Sequence, residues 1–360
     1  MFPARPGRRG AQRSSRGGLS RTPAGRTRRR RAKAPTIPAR QCGRLLWAGG
    51  GNKRAGAGLA PAEGCAEELP LLDDPRTKYP TPPQPDQRQS IPGEEKALNP
   101  KADHGEDSYK GSGRLEGLAA IVTGADSGIG RAVALAFARE GADVLISYLS
   151  EHEDAEETAR LVSSAGRRAV LAPGDVKDEA HCKSLVARAL ETFGQLNILV
   201  NNAAHQKSFD RIEEISAEEW DVTFRTNVYS QFYLSKAAAA VMPPGSSIIN
   251  TTSINAKNPS PHLLAYATTK GAIANFTAGL AGLLADRGIR VNAVAPGPIW
   301  TPLIPSTMPD EAVKSFGENT PLGRAGQPAE LAAAYVMLAS NDASYITGAI
   351  IPVTGGRPML

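Results

Sequence analysis

Cysteine is scarce: Cys42, Cys65 and Cys182 are the only three among 360 residues. An odd, scattered set excludes a disulfide scaffold and lacks the spacing of a structural metal site. His104 and His262 show no metal-ligand spacing either, so no metal is expected. No run of about 18 apolar residues occurs, so no transmembrane helix is expected. Aromatic residues make up only 5% of the chain, but hydrophobic residues reach 41%. That is enough to bury a core, which excludes wholesale disorder. A reducing, cytoplasmic setting is the expectation.

The most informative absence is local. Residues 1–62 hold 16 Lys and Arg and no Asp or Glu. The rest of the chain carries 26 basic residues against all 36 acidic ones. The net charge of +6 therefore joins a basic arm to an acidic body, and it argues for nucleic-acid binding by neither. The arm is rich in Arg, Gly, Pro and Ala and has no apolar periodicity, which predicts disorder. Arg28–Arg31 suit a polyanion such as nucleic acid, or an address signal. Arg8-Arg9 are followed by no continuous apolar stretch, which excludes a twin-arginine export signal. An organellar transit peptide and a dispensable extension stay open. Residues 63–113 read as an irregular lead-in that packs on the domain or on a neighbouring subunit, and 114–360 as the folded domain.

From Leu118 the pattern changes. Short apolar runs at 118–122, 144–148, 169–172, 198–200, 247–250, 290–294 and 349–353 read as buried strands. Helical periodicity fills the spaces between most of them: 131–140, 155–165, 180–193, 218–241 (one helix or two), 266–286 and 328–340. Strands alternating with helices predict βαβ units. The expected fold is α/β: a single doubly wound domain with a seven-stranded, mainly parallel sheet.

The first strand runs into Thr123-Gly124-Ala125-Asp126-Ser127-Gly128-Ile129-Gly130, followed by a helix. In that context the glycines serve a tight turn, close approach to a pyrophosphate, and helix–strand packing. Asp126, Ser127 and Ile129 lie in the same turn. Downstream come Asn202-Ala203 after the fourth strand, Asn227 in a helix, Ser253 after the fifth strand, Tyr266-Ala-Thr-Thr-Lys270, and Pro296-Gly297 after the sixth. Tyr266 and Lys270 lie four apart on a helix and so share a face. A nearby ammonium favours a phenolate, which makes a tyrosine usable as acid and base.

These motifs, spanning roughly residues 113–356, resemble the short-chain dehydrogenase/reductase family. The Gly124-Ala-Asp-Ser-Gly128, Asn202-Ala-Ala-His-Gln206 and Trp300-Thr-Pro-Leu303 segments are similar to its glucose/ribitol dehydrogenase-like, general-stress subgroup. The resemblance implies a Rossmann-type domain and NAD(P)-dependent interconversion of an alcohol and a carbonyl. It implies Tyr266 as general acid/base and Lys270 as the group that lowers its pKa and holds the nicotinamide ribose. Ser253 would stabilise the substrate oxygen, and Asn227 would support a proton relay. Cofactor contacts would come from Gly124–Gly130, Tyr148, Asp175, Val176, Asn202, Ala203, Tyr266, Lys270, Pro296, Gly297, Ile299 and Thr301. Homodimers or tetramers through the helices at 218–241 and 266–286 are implied as well.

The strand end at Tyr148 has neither an acid nor a base, and Glu151, Glu153 and Asp154 follow. Their field leans toward NAD, with NADP open; Arg131 is the one basic residue close enough to meet a 2′-phosphate, unless it is a solvated helix residue. Residues 298–326 read as a loop-like apolar lid of Trp300, Leu303, Ile304, Met308 and Phe316. His205, Gln206 and Lys207 form the opposite wall, His205 being as readily a plain loop residue. The expected substrate is a sugar, polyol or small aldehyde or ketone. The competing reading is a module that senses NAD(P)H and docks its arm on a polyanion.

Overall fold

A computed structural model describes residues 72–359. The basic arm, with its polyanion reading, and residues 63–71 lie outside the described residues.

The chain builds Ala119–Thr123 (β1), Gly128–Arg139 (α1), Asp143–Tyr148 (β2), His152–Ser164 (α2), Ala169–Pro173 (β3), Glu179–Phe193 (α3) and Ile198–Asn201 (β4). There follow Ala217–Phe224 (α4), a π-helical turn at Arg225–Tyr229, Ser230–Ala239 (α5), Ser247–Thr251 (β5), Leu264–Leu284 (α6) and Arg290–Pro296 (β6). Leu303–Thr307 (α7), Asp310–Lys314 (α8), Ala329–Ala339 (α9) and Ile350–Val353 (β7) complete it. Local signals account for many of the ends. Asp178 caps α3 by accepting the Ala180 N–H at 2.8 Å, and Gly194 closes the helix in the left-handed region.

The seven strands form one sheet in the order β3-β2-β1-β4-β5-β6-β7, every pair parallel. Side chains alternate between its faces. Ala120 and Val122 join Phe137 of α1 and Tyr335 and Val336 of α9 in one core. Ala119 and Ile121 join Leu185 of α3, Leu234 of α5 and Leu284 of α6 in the other. Burial on both faces explains why these strands read as unbroken apolar runs. Each large side chain so buried contributes about 1.5–3 kcal/mol. The order reverses between β1 and β4, which opens a crevice at the carboxyl ends of these strands. No helix among the described residues is long and apolar enough to cross a membrane.

Two local expectations change, and one left open is decided. Helix α1 begins at Gly128 rather than Arg131, because the glycine turn itself forms its first turn. The 218–241 stretch, read as one helix or two, is two: α4 and α5 joined through the π-helical turn. Residues 298–326 are not all loop: Pro302 and Pro309 start α7 and α8, where a proline costs no helical hydrogen bond.

The lead-in packs on the body. Leu98 joins Trp300, Ile304, Val313 and Ala325 in a third apolar cluster. The N–H groups of Gln84 and Gln89 donate to the carbonyls of Lys314 and Pro305.

Candidate active site

The site grows from the end of β1. The chain turns at Gly124, whose φ of +61° suits glycine. At Gly130 a Cβ would stand 1.9 Å from the Gly124 carbonyl oxygen, so no side chain fits there. Ser127 precedes α1 but makes no capping bond; its hydroxyl donates to Asp126 Oδ2 at 2.8 Å. The cap comes from elsewhere: the Gly128 N–H donates to Glu95 Oε2 of the lead-in at 2.8 Å. Ile129 lines the adjoining cavity, and among the described residues no acceptor meets its N–H. A free N–H at the positive end of a helix suits a pyrophosphate. Asp126, in the same turn, is buried, and burial pushes its carboxyl up to about 6 against the pull of the Ser127 hydroxyl.

The second half of the site hangs on β5 and α6. Ser253 follows β5, and its Oγ accepts the Asn255 N–H at 3.1 Å. One turn of α6 separates Tyr266 from Lys270. Lys270 is buried, donates from Nζ to the Thr251 carbonyl at 2.8 Å, and lies 5.1 Å from the Tyr266 ring centroid. Burial lowers the Lys270 ammonium to about 7. The expected lowering of the Tyr266 pKa by Lys270 is not what this site shows: removal from water pushes the hydroxyl up to about 12, and it is the Ser253 hydroxyl that works against that shift. Asn227 is fully buried in the π-helical turn. Its Oδ1 accepts the His205 N–H at 2.7 Å, and its Nδ2 donates to the His205 carbonyl at 2.9 Å and to Thr269 Oγ1 at 3.0 Å. These bonds tie the loop after β4 to α6.

One cavity of about 950 Å³ receives nearly all of these groups. The turn residues Gly124 and Asp126–Ile129 line one stretch; Tyr148, Asp175 and Val176 line the ends of β2 and β3. Asn202, Ala203, Ser253, Tyr266 and Lys270 line the centre, with Pro296, Gly297, Ile299 and Thr301 beyond. Gly130 and Asn227 do not line it: Gly130 acts through close packing on the Gly124 carbonyl and Asn227 through its hydrogen bonds. The glycine cradle, the unmet N–H and the cavity volume fit a dinucleotide.

Arg131 is neither a solvated residue nor positioned for a phosphate. It is buried and donates to the Asp126 carbonyl, Thr158 Oγ1 and Asp154, locking the turn to α2. Trp300 is not part of the lid surface: it is 1% exposed and donates from Nε1 to the Pro100 carbonyl at 2.8 Å. Leu303, Ile304, Met308 and Phe316 do line the cavity. On the facing side His205 and Gln206 line it, with His205 Nε2 2.7 Å from Glu219 Oε1, whereas Lys207 borders a neighbouring shallow pocket. The acidic patch after Tyr148 is also largely spent. Glu153 pairs with Lys96 at 2.7 Å, Asp154 accepts the Glu95 N–H at 2.7 Å, and only Glu151 lines the cavity.

Sequence reasoning passed over Glu95, the cavity-lining lead-in residues Ile91–Gly93, and the cavity-lining cations Lys177 and Arg357. No local pattern marks Glu95, Ile91–Gly93 or Arg357, which distant loops bring in, whereas Lys177 directly follows Asp175-Val176 beyond β3 and that position was open to reading.

A family model described as enoyl-(acyl carrier protein) reductase matches residues 124–357. An uncharacterized oxidoreductase of Bacillus subtilis (strain 168), YhdF, is 54% identical over 274 residues, covering 76% of this chain and 95% of its own length. A glucose and ribitol dehydrogenase of Daucus carota is 45% identical over 278 residues, covering 76% and 96%. Among solved structures, a short-chain dehydrogenase from Burkholderia cenocepacia J2315 in complex with NADP superposes with a TM-score of 0.64 at 32% identity, covering 68% of this chain and 98% of that one. With its glycine turn, parallel sheet and Ser253, Tyr266 and Lys270 on one cavity, the chain belongs to the short-chain dehydrogenase/reductase family, as an NAD(P)-dependent oxidoreductase.

Proposed function

We propose that the protein interconverts an alcohol and a carbonyl with Tyr266 as general acid/base, acting on a sugar, polyol or small aldehyde or ketone. The observation that carries this reading is the convergence of Ser253, Tyr266 and Lys270 on one cavity beside a pyrophosphate cradle. When bound, the nicotinamide supplies or accepts the hydride. Tyr266 gives a proton to the substrate oxygen, and Ser253 donates a hydrogen bond to the same oxygen as charge develops there. Lys270, anchored on the Thr251 carbonyl, offers a positive charge beside Tyr266 that burial weakens by lowering the ammonium to about 7. A phenol at about 12 is protonated at neutral pH and so able to give its proton to a carbonyl oxygen. Asn227 is a positioning residue, holding the loop that carries His205 against α6.

NADP(H) is the dinucleotide this reading favours. The Burkholderia relative holds NADP, two of the three acids after Tyr148 are engaged elsewhere, and Lys177 lines the same end of the cavity. Homo-oligomers are part of the proposal. Trp220, Tyr229 and Phe232 are exposed on the α4–α5 unit and Leu264 and Leu283 on α6, which suits burial against a second copy. The sugar substrate class draws on the carrot relative's activity.

The test is steady-state absorbance at the reduced-nicotinamide band. NADPH and NADH are crossed with aldoses, aldehydes and ketones, and the oxidised cofactors with polyols. Turnover with NADPH and an aldehyde or aldose supports the proposal. Cofactor binding with silence across the whole panel would overturn it.

A further inference from the structure

The charges that line the cavity are divided unevenly. Its three carboxylates, Asp126, Glu151 and Asp175, all follow β1, β2 or β3 at the dinucleotide end. From Asn202 to Pro358, the lining contains no Asp or Glu. The cations in that half are Lys270, already anchored on Thr251, and Arg357.

Arg357 is held differently from the other arginines that the fold covers wholly or in part. Buried Arg131 and Arg324 and half-buried Arg167 each have a carboxylate within 4 Å, and Arg139 spreads its guanidinium over the carbonyls of Gly105, Glu106 and Tyr109. Arg290 spreads its guanidinium over the carbonyls of Leu338, Ala339 and Ser340. Arg357 instead gives both Nε and Nη2 to a single acceptor, the Asn319 carbonyl, at 3.2 and 3.1 Å. Among the described residues, Nη1 has no partner and no carboxylate comes within 4 Å. The turn that carries it is clamped: Thr354 Oγ1 donates to the Arg357 carbonyl at 2.7 Å, and Asn258 Nδ2 donates to the Pro358 carbonyl at 2.9 Å. A guanidinium fixed at a concave wall, part-desolvated and, among the described residues, without a counter-ion, is poised for an anion. Its planar fork suits the paired oxygens of a phosphate or carboxylate.

Resting on the oxidoreductase reading above, we infer that Arg357 receives an anionic group of the substrate, so that the preferred carbonyl compounds carry a phosphate or a carboxylate.

The test uses matched pairs with the full-length protein and NADPH: glyceraldehyde against glyceraldehyde 3-phosphate, and glucose against glucuronate. The charged member is expected to have a kcat/KM about 10- to 100-fold higher, carried mainly by KM. The first pair reports on a phosphate and the second on a carboxylate. In Arg357→Ala the preference collapses to within about threefold, and Arg357→Lys keeps part of it, because the charge remains while the fork is lost. A wild type without preference, or Arg357→Ala with its preference intact, overturns the inference. So does a loss confined to the NADPH Kd, which would assign Arg357 to the dinucleotide. Calorimetric binding of glycerol 3-phosphate, with glycerol as control, to the protein–NADPH complex separates the two readings. Arg357-dependent binding without any turnover would sink the proposed reaction and leave the anion site standing, whereas no binding would sink the anion site.

Discussion

Glu95 accepts the N–H of Gly128 at 2.8 Å, so a residue of the lead-in caps the helix that faces the dinucleotide. The two are 33 positions apart, and Ser127, the local candidate for this bond, points to Asp126 instead. Glu95 is 3% exposed, and its own N–H donates to Asp154. A carboxylate here satisfies an orphan donor and complements the helix dipole. Glu95→Ala leaves that donor buried without a partner and is expected to lower stability by about 1–3 kcal/mol. The measure is a lower urea midpoint at an unchanged slope; an unshifted midpoint would mean that the cap contributes nothing.

His104 stands behind this bond, with Nε2 3.1 Å from Glu95 Oε2 and Nδ1 2.9 Å from Glu106 Oε1. Burial pulls its pKa down and Arg131 adds to that, but the carboxylates of Glu106 and Glu95 outweigh both and raise it to about 8. A raised histidine pKa gives stability that is full below about 6.5 and lost as pH climbs through 8. Thermal midpoints of the wild type should therefore fall between pH 6.5 and 8.5 more steeply than those of His104→Gln. Parallel profiles would rule the linkage out.

Tyr266→Phe keeps the ring and deletes the hydroxyl. The expected outcome is a kcat loss of at least about 100-fold, with the Kd for NADPH within about threefold. Turnover near wild type would remove Tyr266 from the chemistry.

Lys270 shows the cost of a buried ammonium. Its pKa of about 7 lies below the unfolded value of 10.5, so the unfolded chain binds the extra proton between those limits and stability rises with pH across them. Lys270→Met should abolish turnover yet raise the melting temperature, by more at pH 6 than at pH 10. A variant that melts lower than wild type at pH 6 would contradict this account.

Lys177 lines the cavity near Tyr148 and Glu151, with Nζ 3.3 Å from Asp175 Oδ2. If it meets the 2′-phosphate, Lys177→Ala should weaken NADPH binding about 10-fold and leave NADH nearly unchanged. Equal losses for both cofactors would place its contact elsewhere.

The class of the molecule was legible in the chain because its signals are local. A strand buried on both faces is an apolar run whatever its neighbours, Tyr266 and Lys270 share a helix face at any four-residue spacing, and Gly124–Gly130 mark a turn that other residues cannot make. The contacts that finish the site are not local and leave no period to read. Arg131 looks like any charged helix residue until α2 covers it, and Trp300 like a lid residue until the lead-in closes over it. The acids after Tyr148 look like a field against a 2′-phosphate until Lys96 and the Glu95 N–H meet two of them. Partners 23 to 200 positions apart decide whether such a side chain is a strut, a cap or a wall, and only packing brings them together.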